Sequence, residues 1–282
     1  VDLDLSVDVE SFDPELARGK SAQAQITLKS GQLSVSPVTI DYPKGQLELD
    51  VKVEARDRPS IRFKAFGESL DPWRSLYIQE LKKELDADLD VDIDLSLSGN
   101  SPHALAASAE GDIFLELKDG IMRRDLVDLV FADIIGWAWG KTSQSQYYEF
   151  GCGVVDYRID QGVVTTRAFL LDASHIAISG EGTIDLGREQ VDYVFLPKKK
   201  SRVIRKADPV KVTGALNDPS VKVIPWKTAA ATYCPMLFGP FIFAGVTAAD
   251  YLGSKLRGNA KESPCLAYER ERAERSGEPA AQ

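Results

Sequence analysis

Histidine is almost missing: the 282 residues hold only two, His103 beside Pro102 in a turn and His175 in a strand-like run. Neither has a cysteine or carboxylate at the spacing of a zinc-binding set. The chain also lacks a GxxxxGK phosphate loop, a strand–GxGxxG–helix unit and a GxSxG nucleophile elbow. Its acidic residues are spread along alternating stretches, whereas general acid–base work needs them paired in one place. These absences leave no candidate catalytic residue. The expectation is a protein that is not an enzyme, with no cofactor and no metal site.

Basic charge is also scarce. Lys and Arg number 34 against 43 Asp and Glu, a formal net charge of -9. Phosphate backbones demand a basic footprint, so nucleic acid is excluded as a partner. With 44% hydrophobic and 27% charged residues, the chain nevertheless has the composition of a folded protein. No basic n-region and apolar h-region open it, and it starts directly in the alternating "VDLDLSVDVE". It is therefore expected to be the carboxy-terminal part of something longer. Cysteines are few: Cys152, Cys234 and Cys265. Cys234 and Cys265 either close a loop of about thirty residues, worth roughly 3–4 kcal/mol, or stay as free thiols. Cys152, between two glycines, is expected to be free and structural.

What is abundant is alternation. In "LDADLDVDIDLSLSGN", residues 85–100, Leu85, Ala87, Leu89, Val91, Ile93, Leu95 and Leu97 interleave with five aspartates and two serines. Period two means a strand with an aliphatic face and a charged face. Thirteen residues make a strand of about 43 Å, more than twice the usual length. Like charges every ~6.6 Å repel, so the aspartate face is expected in bulk water. Calcium would need those oxygens converged on one point, and along a strand they diverge.

The rest of the chain has the same character. β segments fill residues 1–70, and a short helix is expected in "PWRSLYIQELKKEL". After a turn at "SGNSPH", "ALAASAEGDIFLELKDG" reads as a return strand with Ile113, Leu115 and Leu117 on one face. Leu126, Leu129, Val130, Ile134 and Trp137 recur at helical spacing, giving a helix over about 124–139. Glycine-punctuated antiparallel strands resume from Cys152, and the basic stretch Lys198, Lys199, Lys200, Arg202, Arg205 and Lys206 interrupts them. That stretch is either a solvated loop or a patch for anionic lipid head groups. Residues 228–256 are apolar but broken by Pro235 and Pro240, so two short apolar helices are expected. The end, "YERERAERSGEPAAQ", reads as a solvated, disordered tail. The domain reading is a variable β region over 1–84, a β domain over 85–226, and an apolar helical segment with its tail over 227–282.

The order of these elements resembles the carboxy-terminal region of the AsmA family of Gram-negative envelope proteins. The likeness rests on "AEGDIFLELKDGIMRRDLVDL", on "CGVVDYRIDQGVV" with Cys152, Tyr157, Ile159 and Gly162, on "FLLDASHIAISGEGTIDLGREQVDYVFLPKKK", and on "PVKVTGALNDPSV". It covers about residues 85–266, and residues 1–84 fit the more variable β region before it.

The resemblance implies a mainly β fold: an elongated antiparallel sheet, curled into a β-groove, with a few short helices. It implies a periplasmic protein, anchored in the inner membrane by an upstream helix, that shields phospholipid acyl chains between inner and outer membrane or maintains outer-membrane lipid homeostasis. The groove face would then be Leu85, Leu89, Val91, Ile93, Leu95, Leu97, Ile113, Leu115 and Leu117. An oxidising periplasm would favour the Cys234–Cys265 pair. The pattern alone equally fits a closed sandwich. It does not fit a membrane barrel, whose strands carry aromatic girdles absent from 85–97. The alternative function is an assembly factor or scaffold for outer-membrane proteins, engaging them by β-addition at open strand edges. A third reading is an acidic calcium-binding module.

Overall fold

The computed structural model describes residues 2–10, 21–42, 44–55, 57–70, 85–123, 147–174, 176–199, 208–225 and 264–276. Strands β1 (Leu3–Val9), β2 (Ser21–Lys29), β3 (Gln32–Asp41), β4 (Gln46–Glu54) and β5 (Ser60–Leu70) come first. Then follow β6 (Leu85–Ser98), helix α1 (Pro102–Ala107), β7 (Glu110–Arg123), β8 (Tyr147–Asp160), β9 (Val163–Ala173) and β10 (Ile176–Asp185). The last described elements are β11 (Gln190–Lys199), β12 (Val210–Ala215), β13 (Asp218–Val223) and helix α2 (Pro264–Ser276). All thirteen strands form one sheet in sequence order, and every neighbouring pair is antiparallel. The sheet runs through the expected boundary at 84/85, since β5 and β6 pair directly.

Period two puts one residue in two on each face, and the registers carry that split from strand to strand. One apolar row reads Leu5↔Ile26↔Val35↔Val51↔Phe63↔Leu95. Another reads Val91↔Leu115↔Val155↔Phe169. β-Bulges absorb the register shifts, for instance at Val35/Val38 and Gly67/Leu70, so the apolar face continues across them. The expected long strand is there: β6, β7 and β8 each have 14 residues, about 46 Å apiece.

Two local expectations fail. Residues 102–107 are not the start of the return strand but a helix: the Ser101 hydroxyl accepts from the Ala104 N–H at 3.1 Å, and Pro102 fills the first turn. Residues 268–276, expected in a disordered tail, belong instead to helix α2. Cys265, Tyr268, Glu269 and Arg272 recur at i, i+3, i+4 and i+7, one helical face in an otherwise polar segment. Among the described residues no helix is long and apolar enough to cross a membrane. The expected helices near 72–84 and 124–139, and the apolar helical segment over 228–256, lie outside the described residues.

Candidate functional site

The aliphatic face of β6 and β7 assembles as expected. Leu89 faces Leu117, Val91 faces Leu115 and Ile93 faces Ile113, while Leu95 and Leu97 sit opposite Phe63 and Ile61 of β5. Leu85 pairs with Met122 through the backbone. These side chains from Leu89 onward are half-buried, whereas residues on the opposite face of β7 and β8 are buried: Phe114 6%, Glu116 3%, Val154 0% and Asp156 5% exposed. The half-open aliphatic face accords with a groove, whereas the expectation of an aspartate face in bulk water fails. Helix α2 packs on the aspartate face, and the aliphatic face is left partly open along its middle.

The two ends of the aliphatic face are closed. At one end Ala109, Ile159 and Val164 form a buried cluster against Leu95, Leu97, Ile113, Tyr157, Ile184 and Leu186. Helix α1 and the residues leading from it into β7 fix that end by reaching two turns: the Gly162 N–H donates to Ala109 O at 2.8 Å, and His103 Nε2 lies 3.0 Å from Gly187 O. Gly162 has a φ of +75°, and a Cβ there would lie 2.7 Å from Ala107 O, so only glycine lets the β8–β9 turn meet α1. At the other end Ala87, Phe150 and Ala173 are buried. What remains is a half-open aliphatic strip across the strands.

On the aspartate face, Asp88 pairs with Lys44, Asp90 with Lys118, Asp94 with Lys64 at 2.6 Å, and Asp92 with Arg272 at 2.6 Å. The stripe therefore does not stand alone in bulk water, because bases from the β3–β4 turn, β5, β7 and α2 neutralise it. Among the described residues no group of three or more His, Cys, Asp or Glu is placed to hold a metal ion. Asp90 is the most enclosed of the four, with its side chain 16% exposed, and it also accepts the Ser69 N–H at 2.6 Å. Asp90→Ala is accordingly expected to cost about 1–3 kcal/mol, while Asp94→Ala should stay within about 0.5 kcal/mol. Urea titration of both variants checks the contrast, and equal midpoints would contradict it.

Helix α2 is attached to this face covalently. Cys265 is bonded to Cys152 across 113 residues, with the Cα atoms 6.3 Å apart. The expected Cys234–Cys265 pair is thus overturned, and Cys152 is not free. The physical reason is register: Cys152 lies beside Val154 and Phe114 on the face where α2 docks, and Cys265 joins their cluster. Cys234 lies outside the described residues. One turn on, the Tyr268 hydroxyl donates to Asp156 at 2.7 Å, and the Arg272 guanidinium sits 3.7 Å over the Phe114 ring. Asp92, Phe114 and Asp156 are one cross-strand row, so α2 reads three strands at once.

Glu116 lies under α2. Burial pushes its carboxyl up to about 9, reinforced by a hydrogen bond to Glu269 and by that group's charge. At neutral pH it is a proton donor to Glu269. Burial opposes the charge on Lys118, but the hydrogen bond and charge of Asp90, with Glu116 and Glu269, hold its ammonium above the usual range. A raised carboxyl pKa stabilises the fold below the ordinary value near 4.5, and that contribution is lost as pH rises through about 9. Glu116→Gln keeps the shape without the titration, so its melting temperature relative to the native chain should rise between pH 5 and 9. A constant difference over that range would mean Glu116 does not titrate there.

The basic stretch is only partly in view. Lys198 and Lys199 end β11, paired with Ala177 and Ile176, while Lys200, Arg202, Arg205 and Lys206 lie outside the described residues. Sequence reasoning missed α2, although the Cys265–Tyr268–Glu269–Arg272 spacing after Pro264 carries its signal.

Comparisons with known proteins bear on the family. The AsmA family model matches residues 1–169, so the opening strands belong to the family pattern along with β6 and β7. The AsmA family protein YhjG of Escherichia coli strain K12 is 24% identical over 205 residues, covering 70% of this chain and 29% of that protein. The chain thus spans less than a third of that relative's length. No solved structure matches. A family model covering more than half of the chain, on a single sheet with one continuous apolar face, decides the assignment: this chain belongs to the AsmA family.

Proposed function

We propose that the chain is the carboxy-terminal part of a periplasmic, membrane-anchored envelope protein that shields phospholipid acyl chains on its aliphatic face, without catalysis. The observation that carries the reading is that the aliphatic face is the less buried of the two. A sandwich would bury Val91, Ile93, Leu115 and Leu117 under a second layer, yet they are half-exposed while Phe114 and Val154 behind them are buried. Water-exposed aliphatic surface costs roughly 25 cal/mol per Å², which an acyl chain laid on it recovers. Curled across its strands, the sheet forms a trough with the aspartate face outward. Twelve inter-strand steps of about 4.8 Å give a path of roughly 58 Å, longer than the ~30 Å hydrocarbon core of one bilayer.

The shielding requires nothing beyond continuity of the apolar rows, so transfer between inner and outer membrane is passive along the trough. The test is extraction of a fluorescent phospholipid from donor vesicles by the purified protein. Fluorescence dequenching that rises with protein supports the reading, and none at any protein concentration opposes it. A second reading, a scaffold for outer-membrane proteins, is favoured by one feature: edge strand β13 is exposed along its whole length, leaving backbone groups for β-addition. Binding of an unfolded outer-membrane β-strand peptide with no lipid extraction would favour it instead.

A further inference from the structure

The apolar face changes character at β9. From β2 to β8 it is mostly aliphatic, with isolated rings such as Phe63 and Tyr157, and six inter-strand steps of about 4.8 Å make a stretch of roughly 29 Å. On β9 to β11 the same face carries Phe169, Tyr193 and Phe195 in mutual contact, with ring centroids 6.2, 5.5 and 4.7 Å apart. Here the face is closed: Tyr193 is 4% exposed, and Ile178 of β10 and Val210 of β12, on the same face, are 2% and 1% exposed. The rings occupy room left by two glycines of β10. A Cβ at Gly180 would lie 2.7 Å from Tyr193 Cε1 and 3.0 Å from Phe169 Cδ1, and one at Gly182 would lie 2.8 Å from Tyr193 Cδ2.

Polar contacts lock the rings in place. The Thr166 hydroxyl donates to Gly182 O at 3.0 Å and meets the Tyr193 hydroxyl at 3.1 Å, and the Tyr157 hydroxyl is 3.4 Å from that of Tyr193. Burial raises both phenols above their usual range, so they remain neutral hydrogen-bonding groups. Just before the rings, a Cβ at Gly153 would meet nothing closer than 3.6 Å, between Leu117 and Leu171. Beyond them the apolar face is open again, with Val221 40% and Val223 43% exposed on β13.

We propose that Phe169, Tyr193 and Phe195 form an acyl stop, where the hydrocarbon path over β2–β8 ends with the chain terminus against Gly153, between Leu117 and Leu171. This rests on the lipid-shielding reading above. A chain continuing toward β12 would have to displace rings held at both their edges and the Tyr193 hydroxyl, whereas one that stops short of them displaces none of the three. The stop divides the face into a long section before β9 and a short one after β11.

The experiment is photolabelling of the whole chain with phosphatidylcholine vesicles whose acyl chains end in a diazirine, mapped by peptide mass spectrometry. Labelling of the exposed Phe66, on the opposite face, sets the background. Expected in the native chain is labelling of Val91, Leu115 and Val155 above background, with Val221 and Val223 at background. Phe169→Ala combined with Tyr193→Ala should extend labelling to β13. Thr166→Val, which keeps the rings and removes one of the Tyr193 hydroxyl's two partners, should do so more weakly and serves if the double variant does not fold. Native-chain labelling of β13 equal to that of β7 overturns the stop and leaves lipid shielding standing. No labelling above background on either section overturns the shielding itself.

Discussion

Cys152→Ser is expected to lower the stability of the fold by about 5 kcal/mol, the chain-entropy value for a loop of this length. The bond to Cys265 spans 113 residues, so the reduced unfolded chain gains the freedom of a very long loop. It also joins α2 to the sheet at the point where both cysteines are buried, at 4% and 1% exposure. Without it the helix keeps the Tyr268–Asp156 bond and the Arg272 contacts to Asp92 and Phe114. Arg272 is a third exposed and its partner half exposed, so that pair adds at most about 1 kcal/mol. Denaturant unfolding with and without a dithiol reductant checks this. The reductant should bring the native chain to the level of Cys152→Ser, and Cys234→Ser should leave the Cys152–Cys265 bond in place. A Cys152→Ser midpoint equal to that of the native chain would contradict the pairing.

The second large effect is expected on the other face. Ile93 sits between Ala65 of β5 and Ile113 of β7 in the half-open strip. Ile93→Asp places a carboxylate where an acyl chain would lie, costing at least about 2 kcal/mol of binding, roughly thirtyfold in affinity. The fold should lose a comparable amount, about 1–3 kcal/mol, since the site keeps some access to water. Lipid extraction and a thermal melt on the same sample separate the two losses. Unchanged extraction together with native stability would show that Ile93 does not face the strip.

How far the sequence led depended on the distance between cause and effect along the chain. Strands β6 and β7 were legible because alternation is local: each Asp–aliphatic step in 85–97 states its own face. The registers then followed from keeping those faces aligned. What decides which face is buried lies far away. Asp92 is matched by Arg272, 180 residues downstream, and Asp90 by Lys118 on the neighbouring strand. Read one stretch at a time, the aspartates had no partner but water. Helix α2 was obscured by its polar composition, which masks the one-sided spacing of Cys265, Tyr268, Glu269 and Arg272. The disulfide was misassigned because nearness in sequence was taken for nearness in space, while the sheet brings Cys152 under α2. The aromatic cluster was invisible as a unit, since Phe169, Tyr193 and Phe195 come together only through the pairing of β9, β10 and β11.

The central claim is that the aliphatic strip across β2–β8 carries lipid, and native mass spectrometry of the protein released gently from membranes tests it most directly. The account predicts adducts of phospholipid mass on the native chain, retained in Asp94→Ala and lost in a Val91→Asp, Leu115→Asp double variant that still melts cooperatively. A native chain that flies free of phospholipid, or adducts that persist undiminished in that double variant, would contradict it.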